Sequence, residues 1–203
     1  MKNFFPPLET DAFYHIYNRC NNREKIFFNK ENYRYFLQKF DAYLSPYLDV
    51  FAYCLLPNHF HFLIKTKETN EYSEVTLKKG SGTLQEFSVV ISEIFRRFFL
   101  SYAKSIKIQE GRTGSLFEKN FRRIMIENDK HLIWLFNYIH RNPQTHGLVS
   151  DFRAYPYSSY KAIISGSPTK IKREEVINIF GNREEFERFH QTNPIMKEKW
   201  LIE

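Results

Sequence analysis

Two histidines separated by one phenylalanine, His59 and His61 in the run Pro57-Asn58-His59-Phe60-His61-Phe62, are the residues of this 203-residue chain best placed to do chemistry. On an extended strand alternate side chains point the same way, so both imidazoles share one face while Phe60, Phe62 and Ile64 share the other. Their Cα atoms would lie about 6 to 7 Å apart, close enough for both rings to reach one metal ion at roughly 2.1 Å. A polar sheet face explains the same pattern, so the pair alone defines no site. Leu63 interrupts any third alternating histidine, and the chain is short of the ~250 residues of a metallohydrolase barrel. No H-E-x-x-H, C-x-x-C, G-x-x-x-x-G-K or G-x-S-x-G pattern occurs, which sets aside zincin, dithiol, P-loop and serine-hydrolase chemistry and any nucleotide cofactor.

The elements that must position the histidines follow from periodicity. Residues 12–18 alternate as a strand, and the polar turn CNNREK follows. From Lys30 to Leu44 apolar residues recur at helical spacing, with Pro46 closing the segment. Leu48 to Leu56 and His59 to Lys65 read as two strands joined at Pro57-Asn58, a hairpin that carries the histidine pair. Residues 66–83 are polar and read as a loop. Leu84 to Ile106 is predicted as the longest helix, with Leu84, Phe87, Ile91, Phe95, Phe98 and Tyr102 on one face. Leu116 to Ile126 reads as a fourth strand. Asn128 is a suitable N-cap for a helix through Leu135 and Tyr138 to about Asn142, where Pro143 is expected to stop it. The order βαββαβ plus a further helix predicts an α+β, ferredoxin-like (RRM-like) antiparallel sheet with two helices on one face. Residues 1–165 read as one domain and 166–203 as a short, charged, helical C-terminal extension.

The formal net charge of +7 favours an anionic partner, nucleic acid above all. With two cysteines, Cys20 and Cys54, the chain has no disulfide framework. No apolar run reaches membrane-spanning length, so a cytoplasmic protein with no membrane partner is expected.

The run AYCLLPNHFHFLI resembles the signature strand pair of the HUH superfamily, in which two histidines flank one hydrophobic residue. FYHIYNRCNNREKIFF, NYIHRNPQTHGLV and YPYSSY are similar to segments of REP-associated tyrosine transposases, relatives of the insertion-sequence single-tyrosine transposases. The resemblance runs from about residue 12 to 160 with four motifs in order, and the tail after Gly166 lies outside it. It implies a nucleophilic tyrosine in Tyr-Ile-X-X-Asn-Pro, which is Tyr138 here, and a polar metal ligand one turn later, Asn142, beside His59 and His61. Helix geometry agrees, because positions i and i+4 share a face. The resemblance further implies a divalent ion, Mg²⁺ or Mn²⁺, and cleavage and rejoining of single-stranded or hairpin DNA through a 5′-phosphotyrosine. Branches of the family act as monomers or as homodimers.

Arg19 and Arg23 are candidate phosphate contacts by the same resemblance. Arg112, Lys119, Arg122 and Arg123 alternate with Phe117 and Phe121, which suits phosphate contacts beside stacking surfaces, or equally a solvated strand face. Arg96, Arg97 and the run Lys170 to Arg173 are weaker candidates. His140 lies about 200° round the helix from Tyr138, a poor position for its general base, and His15 reads as a structural hydrogen-bonding residue, with a functional role as the alternative. Two other readings remain open: a silent nucleic-acid-binding derivative of such a transposase, and a metal-dependent RNase on an RRM-like sheet, which the missing RNP aromatics disfavour.

Overall fold

The computed structural model describes residues 5–68 and 84–192. Its strands are β1 (Phe13–Arg19), β2 (Leu48–Leu56), β3 (His59–Thr66) and β4 (Arg122–Met125), and its helices are α1 (Lys30–Leu44), α2 (Leu84–Glu110), α3 (Asp129–Thr145), α4 (Tyr160–Ile164), α5 (Arg173–Phe180) and α6 (Arg183–Gln191). The strands form one sheet in the order β2-β3-β1-β4, and every neighbouring pair is antiparallel. The chain therefore follows the βαββαβ order read from periodicity. Most of the expected loop before α2 lies outside the described residues.

Strand alternation divides the core into two layers. Tyr14 and Ile16 of β1 and Phe60, Phe62 and Ile64 of β3 face α1 and α2, where they meet Phe36, Phe40, Phe95, Phe98 and Tyr102. Aromatic side chains fill this layer: Phe40 stacks on Phe62 at 4.2 Å and Phe36 meets Tyr102 edge-on at 4.8 Å. Such pairs add about 0.5 to 1.5 kcal/mol each beyond the area they bury. The opposite sheet face, with Tyr17, Ala52, Cys54, Leu56 and Leu63, packs against Leu135, Phe136 and Ile139 of α3 and against Tyr160, Ile163, Val176 and Phe186 of the C-terminal helices. Among the described residues no helix is long and apolar enough to cross a membrane.

Three boundaries differ from the sequence reading by more than one residue. The expected strand 116–126 is cut to Arg122–Met125, because Asn120 takes a left-handed conformation (φ 59°) and turns the chain before it can pair continuously. Phe117 retains a single bridge to Cys20. Helix α2 continues to Glu110 and closes at Gly111 (φ 62°), where Arg112 N–H donates to the Lys107 carbonyl. Pro143 does not end α3. It sits inside the last turn, so the bond it forfeits is the one to the Ile139 carbonyl. The helix stops at Gly147 (φ 68°). There Gly147 N–H donates to Gln144 and Leu148 N–H to Pro143 in a Schellman closure. At the other end Asn128 caps α3, its side chain accepting from His131 N–H at 3.0 Å.

Residues past 146 cover the outer edge of β2. Leu55 N–H donates to Tyr157 and Ser159 N–H to Tyr53, and Lys172 N–H donates to Val50. Helix α6 is tied to α3 through a buried chain. His190 Nδ1–H donates to the Phe186 carbonyl at 2.8 Å, so its Nε2 accepts from His140 Nδ1–H at 2.8 Å, and His140 Nε2 lies 2.8 Å from the Ser159 hydroxyl. Asn137 and Arg141 add bonds to the carbonyls of Phe189 and His190.

Candidate active site

His59 and His61 leave β3 on its α3 side, His61 between Tyr17 of β1 and Cys54 of β2, and His59 between Arg19 and Leu56. Their rings lie 5.2 Å apart and nearly perpendicular. His61 is 1% exposed, and burial, reinforced by neighbouring His15, His59 and His146, holds its pKa well below the usual range. It is therefore neutral at physiological pH, the form that can ligate a metal. Beside it His15 Nε2 stands 3.0 Å from His61 Nδ1. Burial, with His131 nearby, lowers the His15 pKa to about 3.

Helix α3 delivers the other two residues. Tyr138 presents its ring edge-on to His61 at 5.5 Å and to His15 at 6.1 Å, with Trp134 stacked behind it at 5.0 Å. The Tyr138 side chain is half-buried and its hydroxyl is shielded from solvent. One turn on, Asn142 Oδ1 lies 3.2 Å from His59 Nε2. The four residues His59, His61, Tyr138 and Asn142 thus meet within a single chain.

The contacts of His59 bear on what this donor set can hold. Its Nδ1 is 2.7 Å from Asn58 Oδ1, an acceptor, so Nδ1 carries the proton. In the neutral ring Nε2 then offers a lone pair toward the lone pairs of Asn142 Oδ1. Two acceptors at 3.2 Å repel unless the imidazole is doubly protonated, the Asn142 amide turns its N–H toward the ring, or a cation is shared by the two atoms; the pair accommodates each of these. Among the described residues no cluster of three or more His, Cys, Asp or Glu side chains could hold an ion. A site here needs the amide of Asn142 beside the two imidazoles.

Next to the histidines opens a cleft of about 630 Å³ lined by His59, His61, Tyr17, Arg19, Arg23, Lys25, Glu118, Arg122 and His146. Glu118 pairs with Arg19, with Arg122 at 3.9 Å on its other side. The Arg122 guanidinium lies 6.0 Å from the centre of the Tyr17 ring. The cleft is basic, yet it carries an internal carboxylate between two of its cations.

Of the candidate DNA contacts, the structure gathers Arg19, Arg23 and Arg122 at this cleft and places the others elsewhere. Arg112 pairs with Glu24 and also donates to the Lys25 carbonyl, so it fastens the segment after β1. Arg123, one residue from Arg122 on a strand, projects from the opposite face, where it donates to the Pro6 carbonyl at 2.6 Å and to Ser92 Oγ at 2.8 Å. Lys119 lines a separate groove along α2, with Arg96 and Phe121. The cleft residues Tyr17, Lys25, Glu118 and His146 escaped the sequence reading. The signal for His146 was present, because it follows Tyr138 and Asn142 at the same spacing of four, and its ring lies 5.0 Å from His59. His140 faces away from the cleft in the buried chain to α6.

No family model matches the chain. A Haemophilus influenzae protein that carries the name REP-associated tyrosine transposase is 27% identical over 109 residues, 54% of this chain. The match spans 57% of that relative's length. Among solved structures, a REP-associated tyrosine transposase bound to a REP hairpin superposes with a TM-score of 0.54 at 18% identity, covering 85% of this chain and 96% of that one. The superposition establishes a shared fold.

Proposed function

We propose that this chain is a metal-dependent single-tyrosine transposase or endonuclease that cleaves and rejoins single-stranded DNA at hairpin-forming repeats. The observation that carries the reading is the meeting of Tyr138 from α3 with the His59 and His61 pair of β3 in one chain, Asn142 being 3.2 Å from His59. Likeness in sequence and in fold to REP-associated tyrosine transposases, one of them bound to a REP hairpin, supports the same substrate class.

In this reading the Tyr138 oxygen attacks a backbone phosphorus, a tyrosyl O–P bond forms and the P–O3′ bond breaks. The phenol gives up its proton and the leaving 3′ oxygen takes one up, so a 5′-phosphotyrosine and a free 3′-hydroxyl result. The reverse attack by a 3′-hydroxyl rejoins the strand without a nucleotide cofactor, because the tyrosyl ester conserves the bond. A phenol with a pKa near 10 is a weak nucleophile at neutral pH. A divalent ion held by His59, His61 and Asn142 would supply the charge that polarises the phosphate and stabilises the transferring oxygens. Arg19, Arg23, Lys25 and Arg122 would hold the strand by its phosphates. Trp134 fixes the plane of the Tyr138 ring from behind.

The shielded Tyr138 hydroxyl favours one second reading, in which the cleft binds a DNA hairpin without cutting it. A single experiment separates the two. Protein is incubated with Mn²⁺ and a pool of single-stranded oligonucleotides carrying a hairpin with randomised flanks, then run under denaturing conditions. A covalent adduct that disappears in Tyr138→Phe is expected. Retention of the pool with no adduct would give the binding reading, and an adduct that survives Tyr138→Phe would remove Tyr138 as the nucleophile.

A further inference from the structure

We propose that His15 is a positioning residue for His61: it accepts the His61 Nδ1 proton and so reserves Nε2, with its lone pair, for a divalent cation. This inference rests on the reading of His61 as a metal ligand. In the sheet register His61 stands opposite Tyr17 and His15 opposite Leu63, so the two histidines are diagonal neighbours on the same face. Their rings stack at 5.1 Å with 23° between planes, and Nε2 of His15 is 3.0 Å from Nδ1 of His61. Both side chains are buried.

A hydrogen bond between two neutral imidazoles holds one proton, which leaves two arrangements. If His15 Nε2–H donates, His61 carries its own proton on Nε2 and cannot ligate through that atom. If His61 Nδ1–H donates, His15 Nε2 accepts, His15 keeps its proton on Nδ1, and His61 Nε2 is bare. The second arrangement alone is compatible with a metal at Nε2. Nδ1 of His15 is buried and has no hydrogen-bond partner among the described residues. The two tautomers change together, because one proton is shared between the two facing nitrogens. Tyr17, stacked on His15 at 4.8 Å with 23° between planes, keeps the ring in the plane the bond requires. Outer partners of this kind orient a ligand, and their loss typically weakens metal binding about 10- to 100-fold.

The test uses the full chain and Mn²⁺ alone, with free ion counted by electron paramagnetic resonance. His15→Leu should weaken Mn²⁺ binding about 10- to 100-fold. His15→Gln, whose amide oxygen can accept from His61 Nδ1, should restore most of it. In parallel, ¹⁵N spectra of the wild-type imidazoles with saturating Mg²⁺ should show His61 protonated at Nδ1 and His15 at Nδ1, a readout that needs no variant to fold. Mn²⁺ binding by a folded His15→Leu within about twofold of wild type, where a 10-fold loss is the least expected, would overturn the positioning role, as would a bare His61 Nδ1 in the spectra. In that case a loss of binding in His61→Ala leaves the ligand reading standing. Undiminished binding by His61→Ala overturns both.

Discussion

Acidification from about pH 7.5 to about pH 5.5 is expected to remove much of the folding stability through four buried imidazoles. His15, His61, His140 and His190 are each at most 1% exposed. Burial holds all of their pKa values below the usual 6.5: about 3 for His15, about 4 for His190, and well below the usual value for His61 and His140. The unfolded chain takes up these protons near pH 6.5 and the folded chain does not. Stability is therefore full above that pH and declines as the pH falls toward the folded values. One pH unit below 6.5, each group costs about 1.4 kcal/mol, so four together cost about 5 to 6 kcal/mol. That is comparable with the entire net stability of a typical domain, about 5 to 15 kcal/mol. Most carboxylates, with ordinary pKa values of about 4, are still ionised at that pH and contribute little. Urea unfolding followed by circular dichroism at a series of pH values, with chelator present to exclude metal, reads the slope directly. A total loss below about 1 kcal/mol at pH 5.5 would refute the reasoning, since a single buried neutral histidine already exceeds it. In the double variant His140→Gln/His190→Gln the pH-dependent part should fall by about half.

Phe36, fully buried between α1, α2 and the sheet, should cost about 3 to 5 kcal/mol on truncation to alanine, measured by the same unfolding assay. Arg19→Ala and Arg122→Ala should each reduce the slope of log affinity against log salt for single-stranded DNA by about 0.7, measured by fluorescence anisotropy, whereas Arg123→Ala should leave the slope unchanged. Glu118→Gln frees both arginines from their carboxylate. It should tighten DNA binding by up to about fivefold, corresponding to about 1 kcal/mol of ion pairing.

Local periodicity carried the fold further than it carried the site. The two-residue alternation of β3 set His59 and His61 on one face and the phenylalanines on the other, and the spacing of Tyr138 and Asn142 put them on one side of α3. The same alternation separates Arg122 from Arg123, so reading them as one cluster contradicted the strand that carried them. Composition gave no hint that Asn120 would adopt a left-handed turn and shorten β4. Pro143 misled because a proline in the last helical turn forfeits one hydrogen bond only, while the stop was set by the glycine four residues later. The chain from Ser159 through His140 to His190 spans three distant segments, and no local pattern predicts such a meeting. Glu118 was invisible as a cleft residue for the same reason: its importance comes from Arg19, 99 positions away.

The segments laid along β2 have a bearing on self-association. An open strand margin is a template on which another copy of a chain can pair. Here the long hydrophobic strand is fenced by the main chain at Tyr157, Ser159 and Lys172, and the opposite margin of the sheet is β4, four residues carrying two arginines. Continuous sheet extension from copy to copy is thereby discouraged at both ends.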